Sequence, residues 1–418
     1  MGRPLLVDTP PPTVTRDAPA PDVPLPRVVG AMLGTQMVTV LLFLTVPLMA
    51  TEIAPAFGVA AKDIAVFVSF SFVASMFFSA ASGSLIARCG GIRTNQLGMA
   101  FSACALLLAL SGSLPLLYLA AVLVGLGYGP HTPAGSHVLA RVAPARSRAL
   151  VFSLKQSGAP LGGFLAGLLV PALVHAIGWR GALACTAAVV LLAAIAVQPL
   201  RGVLDNDRDP RAPLRFAAPW QAVRAVLVDS RLRRLLLVAF ALTATQATLM
   251  TFLVIYLVEV LGFALAAAGA LFSAAQVAGA LLRVVMGGLS DRFLGARATL
   301  ALLGLAAAAA LAGLAMLEPG TPLFVVAAVA IAAGAASFGW NGVFLAEVAS
   351  QPGAAGVGAA TGGSLFFLYG GLVAGPAVVS ALVGVSGGYR VPFLVVAAGV
   401  TLAVLNLLRR PTVAARGN

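Results

Sequence analysis

The chain of 418 residues would suffice for two or three soluble domains, but 60% of it is hydrophobic and 9% charged, whereas soluble domains carry about a quarter charged residues. Together with a mean hydropathy of +1.02, this excludes a water-soluble enzyme or binding module. It predicts an all-α integral membrane protein whose helices of about 20 residues satisfy their own backbone groups. The net charge of +13 would suit nucleic acid only if it gathered on one folded face among aromatic side chains.

In chain order, residues 1–26 hold eight prolines and no apolar stretch, which predicts a disordered cytoplasmic tail rather than a signal peptide. A bundle of six helices is expected over 27–200. Helix 1 (about 27–50) carries Gln36 and Thr39 at mid-span, and helix 2 (about 64–87) is rich in Phe, Ser and Ala. A charged hinge from Arg88 to Arg93 leads to helix 3 (about 94–111). Helix 4 (about 116–141) contains Gly125, Gly127, Tyr128, Gly129, Pro130, His131 and Pro133. Such a run weakens the backbone ladder and marks a candidate cavity. Helix 5 opens near Ser153 with Lys155 and Gln156, and helix 6 covers about 181–200.

Residues 201–231 are the longest polar stretch and read as a cytoplasmic linker, with 216–228 lying along the membrane face on Trp220 as anchor. A second six-helix bundle is expected over 232–410. Helix 7 (about 235–258) carries Thr243, Gln246 and Thr248, and helix 8 (about 264–288) carries Gln276 and Arg283. Helices 9 and 10 (about 298–316 and 323–348) follow, the latter with Trp340 and Asn341. Helix 11 (about 359–383) holds Phe366, Phe367 and Tyr369, and helix 12 ends at Arg409 and Arg410 before a short tail, 411–418.

With both termini cytoplasmic, 21 of the 26 Lys and Arg fall in cytoplasmic segments. Lys62, Arg180 and Arg390 lie outside them, and Lys155 and Arg283 lie within spans. That asymmetry follows the positive-inside rule and accounts for the charge without nucleic acid. The three cysteines are scattered and the three histidines do not cluster, so neither a disulfide framework nor a metal site is expected.

The chain also repeats itself. Gly83, Leu85, Arg88, Gly91 and Arg93 recur 204 residues later as Gly287, Leu289, Arg292, Gly295 and Arg297, and Leu139 to Ala143 recurs near Leu345 to Ala349 at an offset of 206. A repeat this long means two related halves, a common plan among transporters. The segment G-x-L-x-D-R-x-x-G-x-R from Gly287 to Arg297 resembles the loop signature of the major facilitator superfamily, and the resemblance covers about 28–408. It implies twelve transmembrane helices as two six-helix pseudo-repeats. The first copy has Ala87 where the second has Asp291.

The helix 5 run from Lys155 to Gly163 resembles a form found in the superfamily's cyanate and nitroimidazole permease branch. Arg283 is similar in place to the helix 8 arginine with which monocarboxylate and oxalate transporters hold a carboxylate. Gly279 stands where monocarboxylate carriers place an acidic residue. Ala121 replaces the helix 4 arginine common among the superfamily's drug exporters.

No nucleophile elbow, HExxH or phosphate loop occurs, so hydrolysis and ATP use have no residue to carry them and no cofactor is expected. The expected function is secondary active transport by alternating access, proton-linked or by exchange, by a monomer in the cytoplasmic membrane. Its expected partners are a small-molecule substrate, membrane lipid and protons.

Glu52, Glu259, Glu318 and Glu347 all fall near span ends, so the cavity reads as neutral to positive and the cargo as a small organic anion or polar metabolite. Export of a drug, siderophore or other amphiphile is the alternative. Candidate substrate residues are Gln36, Tyr128, His131, Lys155, Gln156, Gln246, Gln276, Arg283, Trp340, Asn341 and Tyr369. Arg283 lies about 7.5 Å inside helix 8, where it either faces a cavity or snorkels to headgroups. Gly83, Arg88, Arg93, Gly287, Asp291, Arg292 and Arg297 are candidate gating residues. Asp291 is expected to accept from an arginine across the seam between the halves.

Overall fold

A computed structural model describes residues 23–59, 61–214, 219–350 and 356–409, and among these there is no strand. The first half contains α1 (Leu25–Leu48), α2 (Ala50–Phe57), α3 (Ala61–Cys89), α4 (Gly91–Leu106), α5 (Leu114–Tyr128), α6 (His131–Val142), α7 (Arg148–Gln156), α8 (Gly158–Ala196) and α9 (Gln198–Leu204). After α10 (Pro219–Val228) the second half contains α11 (Ser230–Glu259), α12 (Leu265–Leu289), α13 (Gly295–Ala315), α14 (Leu323–Phe338), α15 (Asn341–Ser350), α16 (Gly356–Ser386) and α17 (Arg390–Leu408).

Ten stretches among the described residues are long and apolar enough to cross a membrane, but two of them run for 52 and 49 residues. Either is about twice the length that one crossing requires. Each contains a glycine with positive φ, Gly178 at 72° and Gly295 at 71°, a conformation open to glycine but strained for other residues. These two reversals turn ten stretches into the twelve crossings that the repeat predicts. Gly90, with φ 89° and ψ 164°, has nearly the conformation of Gly295, with φ 71° and ψ 160°, so both hinges turn on a glycine, one residue apart in the register of the repeat. Large apolar side chains such as Phe164, Leu192, Ile195, Leu281 and Leu402 are more than 60% exposed on the outer faces, as a lipid-facing surface requires.

The two halves meet at the end of the bundle that carries the linker. A Cβ on Gly83 would stand 2.7 Å from Ala359 Cβ, and one on Gly362 would stand 2.0 Å from Ser79 O, so α3 and α16 touch backbone to backbone. Gly287 of α12 and Gly342 of α15 both close on Ser153 of α7, where an added Cβ would stand 2.6 and 2.2 Å from its Oγ. Small residues at these points allow helix contact where lipid offers no hydrophobic drive.

The linker folds back onto the first half. Asp205, only 2% exposed, accepts from the backbone N–H of Ile92 at 2.8 Å and Arg93 at 2.9 Å, a carboxylate set on the N-terminus of α4. Burial pushes its carboxyl above the ordinary range, against the pull of those two bonds. Burial also acts to raise Asp207, but bonding to His137 and the charge of Arg141, both at 2.8 Å, outweigh it and hold that carboxyl low. The N–H of Asp209 donates to Ala87 O at 2.8 Å, so the hinge copy that lacks an acid is tied down by the linker instead. The charged linker expected over 201–231 is thus partly ordered. In its second part α10 is helical and Trp220 is 69% exposed, while residues 215–218 lie outside the described residues, as do the tail expected at 411–418 and residues 1–22 of the tail expected at 1–26, whose last two residues already belong to α1.

Gly90 combines positive φ with a neighbour, since a Cβ there would meet Asp205 Cγ at 2.2 Å. Gly90→Ala is expected to cost roughly 1–3 kcal/mol and to lower the melting temperature of the purified protein. Gly202→Ala, where a Cβ meets nothing within 4 Å, should leave it unchanged.

Candidate functional site

The site forms where helices break. The fifth crossing breaks between α7 and α8 at Ser157, and the tenth between α14 and α15 at Gly339 and Trp340. Gln156 O would ordinarily accept from the residue four places on, but that residue is Pro160, which has no N–H. Phe338 O ends α14 and is free for the same geometric reason as any helix C-terminal carbonyl.

Arg283 of α12 takes both carbonyls. Its Nε and Nη2 donate to Phe338 O at 3.0 and 2.7 Å, and its Nη1 donates across the seam to Gln156 O at 2.7 Å. The residue is 4% exposed, so it points into the protein between the halves and does not snorkel to the surface.

Lys155 is 1% exposed. Its Nζ donates to Gln36 Oε1 at 2.6 Å and to Gln156 Oε1 at 2.9 Å. Gly158 lets α1 close on α8, because a Cβ there would lie 2.7 Å from Leu33 O, and this approach brings Gln36 to the ammonium. Gly135 leaves room for the lysine stem, whose Cε lies 3.1 Å from where a Cβ would stand. Gln156 therefore joins the two cations, holding Lys155 with its side chain and Arg283 with its backbone.

Among the described residues the buried acidic side chain is Asp205, which belongs to the linker. Two cations thus sit within the crossings on carbonyl and amide dipoles, without a carboxylate to balance them. Taking a charge out of water costs several kcal/mol even after relaxation, and intramembrane charges of this kind mark ligand paths.

His131 opens α6, is 2% exposed, and neither ring nitrogen has a hydrogen-bond partner among the described residues. An aromatic cluster also spans the seam: Phe43 lies 4.7 Å from Tyr128 and 4.9 Å from Phe72, and Phe72 lies 5.9 Å from Tyr369 between ring centroids. The structure therefore gathers Gln36, Lys155, Gln156 and Arg283 into one bonded set.

Other expected residues stand apart from it. Asn341 Nδ2 donates to Gln246 Oε1 at 3.3 Å within the second half, and Gln276 is half-buried two turns before Arg283. Trp340 contributes no group to this set. It is fully buried against Phe344, with its N–H donated to Ser337 O. The glycines of helix 4 also serve packing more than a cavity. A Cβ on Gly125 would meet Ser71 O at 2.2 Å and one on Gly127 would meet Gly98 O at 2.4 Å, while Ser75 donates to Gly125 O.

The gating residues divide in the same way. Asp291 does not pair with an arginine. Its two oxygens accept from Ala149 N at 3.0 Å and Leu150 N at 2.8 Å, so it caps α7 of the other half. A helix N-terminus offers unpaired N–H groups and a positive dipole end, which serve a carboxylate as well as an arginine would. Gly83 and Gly287 lie in the seam, and Arg292 is exposed beside a pocket it shares with Arg146 and Asp291. Arg297 stays in its own half, bonded to Leu407 O and Arg409 O. Arg93 meets the linker through its backbone, and Arg88 is exposed.

The acceptors Asp205 and Asp207 were not singled out from the sequence. Their signal was the Asp-x-Asp spacing against His137 and Arg141, which stand one helical turn apart.

Hydrogen bonds to a charged group contribute about 1.5–3 kcal/mol, and Asp291→Ala removes two of them from the seam. In a background without the native cysteines, a Ser153→Cys reporter should then react with a maleimide several-fold faster, whereas Asp291→Glu should leave the rate closer to that of the parent.

The Major Facilitator Superfamily model matches residues 31–367. An uncharacterized MFS-type transporter of Mycobacterium tuberculosis is 30% identical over 190 residues, 45% of this chain and 41% of that protein, so the match spans less than half the length of either. The human organic anion transporter MFSD10 superposes with a TM-score of 0.74 at 18% identity, covering 92% of this chain and 100% of that one. The E. coli fucose:proton symporter FucP does so with 0.72 at 16%, covering 91% and 97%. At such identities the likeness shows the fold. Family model, twelve-crossing architecture and paired hinges agree, and the chain belongs to the major facilitator superfamily of membrane transporters.

Proposed function

We propose that this transporter carries a small organic anion across the cytoplasmic membrane by alternating access, with both termini and the linker on the cytoplasmic face. One observation carries the choice of cargo: Arg283 and Lys155 are buried at the seam among carbonyl and amide dipoles, with no carboxylate bonded to them among the described residues. An incoming carboxylate or similar anion supplies the missing countercharge and forms bidentate bonds with the guanidinium. The packed seam at the linker end supports a form closed to the cytoplasm, and Asp291 on α7 is the latch that the return stroke must break. The two six-helix bundles, 27–200 and 232–410, are the rocking bodies in this scheme.

The rings of Phe43, Phe72, Tyr128 and Tyr369 favour a second reading, efflux of an amphiphilic compound, for which an aromatic lining would suffice. A stability screen of the purified protein separates the two, because a ligand that binds only the folded state at 100 times its Kd stabilises it by about 2.7 kcal/mol. Lactate, oxalate, benzoate and salicylate are the probe anions, set against amino acids and tetraphenylphosphonium. A rise in melting temperature with at least one anion, lost in Arg283→Gln, is the expected result. Stabilisation by the hydrophobic cation with none by the anions would overturn the cargo. For direction, saturable carboxylate uptake that is lost in Arg283→Ala at normal membrane abundance supports import, and resistance on overexpression supports export.

A further inference from the structure

The bonded set around Gln156 leaves out one buried titratable group. His131 is 2% exposed and both of its ring nitrogens lack a partner among the described residues, although a buried imidazole normally donates from one nitrogen and accepts at the other. It stands one helical turn before Gly135, the position that admits the stem of Lys155. A Cβ at Gly135 would stand 3.4 Å from the Lys155 ammonium, which places that charge about one helical turn from His131.

Of the elements packed against α6, α7 brings Lys155, α16 brings Tyr369, and α5, its own continuation, brings Tyr128. Among the described side chains the other charges of α1, α3, α4, α7 and α15 belong to Arg27, Arg88, Arg93, Arg148 and Glu347, and those of α6 itself, His137 and Arg141, lie towards its linker end.

We propose that His131 is the proton-coupling site of this transporter and that it is charged only in company with the anion. This rests on the anion reading above. With the pocket empty, Lys155 opposes a second positive charge nearby. A carboxylate settling on Arg283 and Lys155 cancels that repulsion, so the ring takes a proton at its free nitrogen, from water at whichever face of the membrane the pocket then opens to. When the anion leaves at the other face, Lys155 again opposes the charge and the proton is released there. The two affinities rise and fall together, as linkage requires. One anion and one proton cross together, and no carboxylate is needed as carrier. Arg283 cannot serve, since a guanidinium does not deprotonate in proteins.

The test uses the full chain in proteoliposomes with radiolabelled lactate, oxalate and benzoate as probes, comparing wild type, His131→Gln and His131→Asn. With one-to-one coupling, a gradient of one pH unit, acid outside, should drive up to ~10-fold accumulation in wild type, as tenfold corresponds to about 1.4 kcal/mol. Both variants should lose that accumulation while keeping counterflow, measured without a pH gradient, within about two-fold of wild type.

Accumulation retained in either variant overturns the proposal. So does loss of counterflow in both variants at unchanged melting temperature, which would make His131 a substrate contact. Wild type that exchanges a probe in counterflow but does not accumulate it under the pH gradient overturns the proton site and leaves the anion reading standing. Wild type that moves none of the three probes, by either assay, removes the anion reading and this proposal with it.

Discussion

The structure turns on a nine-residue helix held at both ends by the opposite half, from α12 and the turn that follows it. Asp291 caps the first N–H groups of α7, and Arg283 takes the last free carbonyl, Gln156 O. Between them Gly287 closes on Ser153 without room for a Cβ. The two interactions are of one electrostatic kind, a fixed charge on the opposite end of a helix dipole. The same short helix carries Lys155, so the seam and the buried cationic set share one element.

That economy explains why a proline lies where it does. Pro160 removes a backbone donor and breaks the fifth crossing, a cost of about 3 kcal/mol in an ordinary helix. Here the freed carbonyl is bonded by a guanidinium from the other half. In the proposed cycle, an anion competing for Arg283 competes with the seam itself, and its binding energy becomes available to open the linker end. A ligand shifts such an equilibrium only by its differential affinity for the two states. Trading one carbonyl of Gln156 for a carboxylate is a contact that the two states cannot share.

Much of this was legible in the chain. The duplicated hinge gave two halves, and length with hydropathy gave twelve crossings, because glycine reversals such as Gly178 and Gly295 fall where the apolar runs exceed one membrane thickness. Arg283, Lys155, Gln156 and Gln36 were readable as polar groups in apolar helices, where an unpaired amide or charge is costly. Their mutual bonding was not, since it depends on where helices break and how closely α1 approaches α8. Asp291 was readable as a seam acceptor but not its partner, because a helix N-terminus carries no side-chain label. Trp340 misled for the converse reason: a mid-span indole looks like a binding group, and only packing shows that Ser337 O has already taken its N–H. The linker clamp of Asp205 and Asp207 hid in a stretch whose composition is that of a solvated loop.

The proposed cargo depends on the sign of the fixed charge around Gln156, where Arg283 and Lys155 are buried together. Anomalous diffraction from crystals soaked in bromide, and separately in rubidium, reads that sign. A bromide peak within contact distance of Arg283 and Lys155, with no rubidium there, is expected. Rubidium at that position, or bromide confined to the surface arginines, would overturn the anion.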